Sequence, residues 1–331
     1  MMCGIGGFRR YGETPITVDN VNTLLIGLEQ RGNDATGIAI MREDGKMWVL
    51  KQDDPATRFV SSKAYIDLLE EHLPVAKSVI LHTRFASVGS PRENKNNHPM
   101  FKGKVALVHN GGINNHAQLF EEFKLERSAE TDSDILRAIL DRDGFTKKGV
   151  RTLGRCSGPA AIAALHPDHP DYLLLGRSGS PLVCAKYGDL LVFASEKHYI
   201  HKAMRPWKGW LNLEFQEQKV EIGFLTMADN SIWLFGPEGV EWHDEFKTCY
   251  NFSQVARYRP TYDNYSERKE KWDKTTTNKT APKYNFAELV WCGGCGRKHI
   301  FKDAARMTYH LYDFKCSNKD CGKMLAPRPV N

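Results

Sequence analysis

Long apolar runs are missing: no stretch of the 331 residues approaches the roughly 18 apolar residues of a membrane span, and the N-terminus lacks the apolar run of a secretory leader. The expected compartment is cytoplasmic, and no membrane partner is expected. A disulfide framework is missing too. The eight cysteines stand at 3, 156, 184, 249, 292, 295, 316 and 321, four isolated and four clustered near the C-terminus, which is not the density of a secreted scaffold. Cys156, Cys184 and Cys249 lie beside apolar runs and read as inert packing residues. No Gly-x-x-x-x-Gly-Lys-Ser/Thr phosphate loop occurs, and no organic cofactor is expected.

With 41% hydrophobic residues the chain has enough apolar material for a sizeable core, and its length predicts about two domains. Charge divides it. Residues 251–331 hold 16 Lys and Arg against 8 Asp and Glu, whereas residues 1–250 hold 30 against 32. Attraction to an anionic partner therefore belongs to the C-terminal part, unless that charge only solvates a tail. Residues 257–283 are polar, with Ser-Glu-Arg-Lys-Glu-Lys at 266–271 and three threonines at 275–277. The organisation expected is a first domain over 3–250, a basic polar linker over 251–285 and a small module over 286–327.

The first domain reads as strand-rich with a few helices. Residues 19–30 place Val21, Leu24, Leu25 and Leu28 at helical spacing, with Gly32 as a stop. Two more helices are expected at 115–124 and 133–141, the second with Thr131 and Asp132 as capping candidates. Short β-rich runs recur at 37–40, 46–50, 79–83, 105–109, 160–165, 172–175, 182–185 and 190–194. Several are joined by Gly, Asp or Pro turns, which favours antiparallel neighbours.

Cys3 is followed at once by Gly4-Ile5-Gly6-Gly7. Freed as a terminal residue, a cysteine carries nucleophile and base together, because its α-amine titrates near pH 7.7 to 8.0 and can shuttle the proton. Further blocks follow: Leu28-Glu29-Gln30-Arg31-Gly32-Asn33-Asp34-Ala35-Thr36-Gly37, His82-Thr83-Arg84-Phe85-Ala86-Ser87, Asn96-Asn97-His98-Pro99, Val108-His109-Asn110-Gly111 and Glu130-Thr131-Asp132. Together with Cys3 they resemble the class II glutamine amidotransferases, N-terminal-nucleophile hydrolases, and most nearly the glutaminase domain of glucosamine-6-phosphate synthase. The resemblance continues through Arg177-Ser178-Gly179-Ser180-Pro181-Leu182 and Ala194-Ser195, covering about residues 3–230.

The resemblance implies an α+β fold, a four-layer αββα sandwich of two antiparallel sheets between helices. It implies L-glutamine as substrate, hydrolysed through a Cys3 thioester to glutamate and ammonia. Arg84 is similar to the arginine that grips the glutamine α-carboxylate, and Asp132 to the carboxylate that pairs with its α-ammonium. Asn110 and the Gly111 N–H resemble the oxyanion hole. Arg31, Gly32, Thr83 and His98 match positions that shape the pocket, His98 being as readily structural as catalytic. Phe85 and Val88 stand where the sugar-synthase type usually has Trp and His, and Asn33 where it has Tyr, which puts a sugar acceptor in doubt. The acceptor chemistry is expected on a partner synthetase, with a nucleotide or nucleic-acid base among the acceptors considered. Removal of methionine needs a small next residue, so Met2-Cys3 is a trimming site and Met1-Met2 is not; translation from Met2 would free Cys3. The alternative is a non-catalytic binding protein that keeps the amidotransferase fold.

Cys292-Gly-Gly-Cys295 and Cys316-x₄-Cys321 have the spacing of one tetrahedral zinc ion held by four thiolates, a zinc ribbon with structural Zn2+. The four-residue gap in the second pair is longer than the common two. Arg297, Lys298, Lys302, Arg306, Lys315, Lys319 and Lys323 interleave with Trp291, His310, Tyr312 and Phe314. That pattern suits nucleic-acid contact, and protein docking or a purely structural role remain open beside it.

Overall fold

The computed structural model describes residues 2–204, 223–225, 227–246 and 248, together with the short strands at 290–291 and 326–327. The expected linker over 251–285, Cys249, and the four C-terminal cysteines lie outside the described residues. The chain divides into two compact units, Met1–Ser253 and Gln254–Asn331.

In chain order the first unit runs β1 (Gly4–Arg10), α1 (Val18–Leu28), β2 (Ala35–Arg42), β3 (Met47–Gln52), α2 (Ala56–Phe59), α3 (Lys63–His72) and β4 (Ala76–Arg84). A 3₁₀ turn at Asn94–Asn96 leads to β5 (Met100–Phe101), β6 (Ala106–Gly111), α4 (His116–Phe123), α5 (Asp134–Asp143) and α6 (Lys147–Leu153). Next come β7 (Ala160–Leu165), β8 (Leu173–Ser178), β9 (Val183–Tyr187), β10 (Leu190–Ala194) and α7 (Lys197–Ala203). The unit closes with β11 (Gly223–Leu225), β12 (Ser231–Gly236) and β13 (Gly239–Glu245).

The strands form two antiparallel sheets, ordered β11-β9-β10-β1-β4-β2-β3 and β13-β12-β8-β7-β6-β5. Both faces of the central strands are buried, so their residues alternate between two cores rather than between core and water. In β2, Ile38 and Ile40 join a core with α1, α3 and α7, while Ala39 and Met41 face the core between the sheets. In β7, Ala160, Ile162 and Ala164 pack with α4, α5 and α6, while Ala161, Ala163 and Leu165 enter the inter-sheet core. Three cores separate four layers, helix, sheet, sheet, helix.

Helix α1 starts with a reciprocal cap: Asn20 N–H donates to Thr17 Oγ1 at 3.1 Å and Thr17 N–H to Asn20 Oδ1 at 3.2 Å. It buries Val21, Leu24, Leu25 and Leu28 as the spacing predicts. The capping expectation for α5 is not met. Ser133 is its N-cap, without a side-chain cap bond, and the Asp132 carboxylate accepts instead from the Ile113 N–H at 2.5 Å. Asp132 is thereby committed to the loop after β6, not to its own helix.

In the second unit, β14 (Val290–Trp291) pairs antiparallel with β15 (Ala326–Pro327), matching Val290 with Pro327 and Trp291 with Ala326.

Candidate active site

Strand β1 lies in the middle of its sheet, between β10 and β4, and its register pairs Gly4 with Thr83. Cys3 therefore sits at the strand end beside Arg84 and Phe85. The Phe85 N–H donates to Cys3 Sγ at 3.4 Å, and Sγ lies 3.6 Å from Phe85 O. Burial pushes the thiol up to about 11, opposed by the Phe85 N–H and by Arg84 and reinforced by Asp132 and Asp34.

Pocket residues named from the sequence surround this point. Arg31 Nε donates to Cys3 O at 2.9 Å, and its NH1 pairs with Glu196. Thr83 Oγ1 donates to Leu28 O at 2.7 Å, tying β4 to the end of α1, while the Gly32 backbone lies against that of Arg84 and Phe85. Asp34 N–H donates to Arg84 O at 2.9 Å, and the Asp34 carboxylate accepts from the Ala86 N–H at 2.7 Å. Ser195 locks the other side of β1: its Oγ accepts from the Ile5 N–H at 3.0 Å and its N–H donates to Ile5 O at 2.9 Å.

Arg84 is 3% exposed. Its NH1 donates to Asn97 Oδ1 at 2.9 Å, and its NH2 to Val88 O at 2.5 Å and Gly89 O at 2.8 Å. Burial lowers its pKa against the pull of Cys3, Asp34, Asp132 and Glu130, so one cation balances several acidic groups here. Asp132 is half-buried on the approach to α5. The next residue, Ser133, puts its Oγ 2.8 Å from His109 Nδ1.

Asn110 comes from the second sheet, on β6 opposite Ala161. It is fully buried, yet neither its Oδ1 nor its Nδ2 has a hydrogen-bond partner among the described residues. A buried amide left unpaired costs about 1–3 kcal/mol, a cost that a ligand offering a partner would recover. Gly111 has φ of 150°, and a Cβ there would overlap Pro159 O, so the chain needs glycine to turn out of β6.

His98 is buried, follows the same loop as Asn97, and stacks on His82 with ring centroids 4.1 Å apart. Burial drives its pKa well below the ordinary value, with His82, His109 and Arg84 adding to the effect. His82, whose Nε2 lies 3.1 Å from His109 O, is lowered to about 3 by burial. Both rings are neutral at physiological pH. Among the described residues, no three His, Cys, Asp or Glu side chains are grouped to hold a metal. No described helix is long and apolar enough to cross a membrane.

Residues 82–202 match the family model described as a glutamine amidotransferase domain. The chain carries a class II glutamine amidotransferase domain. Its curated relatives include glutamine–fructose-6-phosphate aminotransferase (isomerizing) of Pseudomonas putida, 34% identical over an alignment of 196 residues that covers 55% of this chain and 30% of that enzyme. The namesake enzyme of Chlamydia trachomatis is 32% identical over an alignment of 209 residues that covers 60% of this chain and 32% of the relative. The amidotransferase domain thus corresponds to about a third of those enzymes' length.

Two solved structures share the fold of the domain. One is the glutamine phosphoribosylpyrophosphate amidotransferase from B. subtilis complexed with ADP and GMP, with a TM-score of 0.55 at 20% identity over 74% of this chain and 49% of that one. The other, described as the allosteric regulatory enzyme of purine biosynthesis, also gives 0.55, at 18% identity over 75% of this chain and 50% of that one.

The residues that sequence reasoning assigned no role are Asp34, Asn96, Asn97, Ser195 and Glu196. All but Glu196 lie inside the quoted blocks, but their work is to hold other residues, which no spacing rule reveals.

Proposed function

We propose that the domain hydrolyses L-glutamine through Cys3 and hands the ammonia to an acceptor on a partner enzyme. The observation that carries this reading is the fully buried, unpartnered amide of Asn110 on β6, in the same domain as a thiol flanked by Arg84 and Asp132. An oxyanion-hole donor is required to wait unpaired for charge that develops only in the transition state.

Glutamine enters with its α-carboxylate toward Arg84 and its α-ammonium toward Asp132. A two-pronged grip by Arg84 needs an N–H of NH2, so the Val88 or Gly89 carbonyl yields one when substrate binds. Once Met1 and Met2 are removed, the Cys3 α-amine takes the thiol proton and the sulfur adds to the side-chain amide carbon. The oxyanion is received by Asn110 Nδ2 and the Gly111 N–H. Collapse breaks the C–N bond, the proton passes from the α-amine to the departing nitrogen, and ammonia leaves a γ-glutamyl thioester. Water, deprotonated by the same amine, releases glutamate and restores the thiol.

In the second unit, Cys292, Cys295, Cys316 and Cys321 are proposed to hold a structural zinc ion. Four thiolates form a donor set suited to zinc, and the β14–β15 pair draws together the chain just before Cys292 and just after Cys321. The basic and aromatic residues between them support contact with a nucleic acid or a protein carrying the acceptor.

One observation favours a second reading. With Met1 and Met2 in place the nucleophile has no free amine and its thiol titrates near 11, a state that suits a binding protein retaining the fold. Intact mass spectrometry and glutamate release separate the two. The catalytic reading expects a chain beginning at Cys3, glutamate formation from glutamine, and none from Cys3→Ala; a chain that keeps both methionines in cells, or full activity in Cys3→Ala, overturns it.

A further inference from the structure

Asn96 and Asn97 stand side by side before β5, both completely buried, and their side chains serve different masters. Asn97 Oδ1 accepts from Arg84 NH1 at 2.9 Å, and its Nδ2 donates to Pro91 O at 2.7 Å, which fixes which amide atom faces the guanidinium. The backbone here is held as well: Lys51 Nζ, reaching from β3, donates to Asn97 O at 2.7 Å and Pro99 O at 3.0 Å. Asn96 turns the other way along the chain. Its Oδ1 accepts from the Glu130 N–H at 2.9 Å and its Nδ2 donates to Ser90 O at 3.2 Å. Glu130 is two residues before Asp132.

One asparagine therefore sets the cation that would read a carboxylate, and its neighbour anchors the segment bearing the anion that would read an ammonium. Because the two are consecutive and buried, the separation of those charges is set by one stretch of backbone. We propose that Asn96 and Asn97 are a positioning pair that fixes Arg84 relative to Asp132, and so restricts the site to amides of an α-amino acid. The proposal rests on the glutamine reading above. It accounts for two buried asparagines that touch none of the reacting atoms in that mechanism, and for the direction in which each amide is turned.

The test uses the full chain carrying Cys3→Ala, so that ligands bind without turnover, and follows binding by calorimetry with three probes. These are L-glutamine, 4-carbamoylbutanoate, which lacks the ammonium, and 4-aminobutanamide, which lacks the carboxylate. Adding Asn97→Ala is expected to weaken L-glutamine and 4-carbamoylbutanoate about tenfold, the loss expected from one hydrogen bond to a charged group, while leaving 4-aminobutanamide unchanged. Asn97→Asp, which keeps an oxygen toward Arg84, is expected to restore most of that affinity. Adding Asn96→Ala is expected to weaken L-glutamine and 4-aminobutanamide and spare 4-carbamoylbutanoate. In the chain with Cys3 intact the same substitutions are expected to raise KM with kcat nearly unchanged. Equal weakening of all three probes, or none, overturns the pairing of residue with charge while leaving the glutamine reading intact. If L-glutamine fails to bind the Cys3→Ala chain at all, the glutamine reading falls and the proposal with it.

Discussion

At the scale of single residues, the site is a contest between burial and charge. Burial holds the Cys3 thiol near 11, so alkylation of a chain that keeps Met1 and Met2 is expected to be slow at pH 7 and to rise about tenfold per pH unit toward that value. A chain beginning at Cys3 gains an ammonium beside the sulfur and is expected to react faster at neutral pH. Equal rates for the two forms, measured by iodoacetamide labelling and mass spectrometry, would remove the α-amine from the mechanism. Asn110→Ala is expected to lower kcat about 10²- to 10³-fold with little effect on folding, because the lost amide has no partner to abandon. A near-normal kcat in that variant would deny it the oxyanion role. Cys3, Arg84, Asn110, Gly111 and Asp132 were named through the family resemblance, and the structure brings Arg84 and Asp132 close enough to Cys3 to act on its thiol. Asp34, Asn97 and Ser195 were given no role, since an amide, carboxylate or hydroxyl that holds a neighbour resembles any other until its hydrogen bond is seen.

At the scale of elements, β4 and the loop leading to β5 carry a stacked pair of buried, neutral histidines, His82 and His98. Their folded pKa values lie below the unfolded value near 6.5, so the unfolded chain binds the protons. For His82 the stability is complete above pH 6.5 and is lost as the pH falls from there toward about 3, and His98, also lowered by burial, adds to the loss in the same direction. Urea midpoints at pH 7 and pH 5 should show that loss, and His98→Phe, which keeps the ring stack without the proton, should shrink it. The elements that could be read in advance were those with a clear period. Helix α1 and strand β7 fall where apolar spacing puts them, β7 at residues 160–165 in both reading and structure. Strand β1 was passed over because three of its first four residues are glycine. It is extended because it pairs on both sides, with β4 and β10, and its glycines let α1 pack closely, Leu24 and Leu28 filling the room beside Gly6. Strands β12 and β13 lie beyond the last β-rich run recognised, although Ile232, Trp233 and Phe235 give β12 the composition of a strand, and their pairing with β8 and with each other places them.

At the scale of the whole molecule, the three apolar cores, among the described residues, are built from residues that precede 247. A chain ended after Ser253, the limit of the first compact unit, is therefore expected to unfold in one thermal transition close to that of the full chain and to keep its glutamate release. Circular dichroism melting and a glutamate assay check this, and loss of the transition would mean that the C-terminal unit completes the fold. If the C-terminal cysteines hold zinc as proposed, a chelator that strips it from the full chain is likewise expected to leave the rate of glutamate release unchanged. The four-layer architecture was legible only through resemblance, because strands buried on both faces lose the polar alternation that would have revealed their orientation.

The central place of β1 also has a meaning in time. Ile5 and Ser195, which lock the strand on its β10 side, are 190 residues apart, so β1 is paired on both sides only after β10 has been made. At bacterial or eukaryotic synthesis rates that delay is on the order of ten to forty seconds. During it β1 has only its β4 side to pair with, and the arrival of β10 completes the sheet around the residues that follow Cys3.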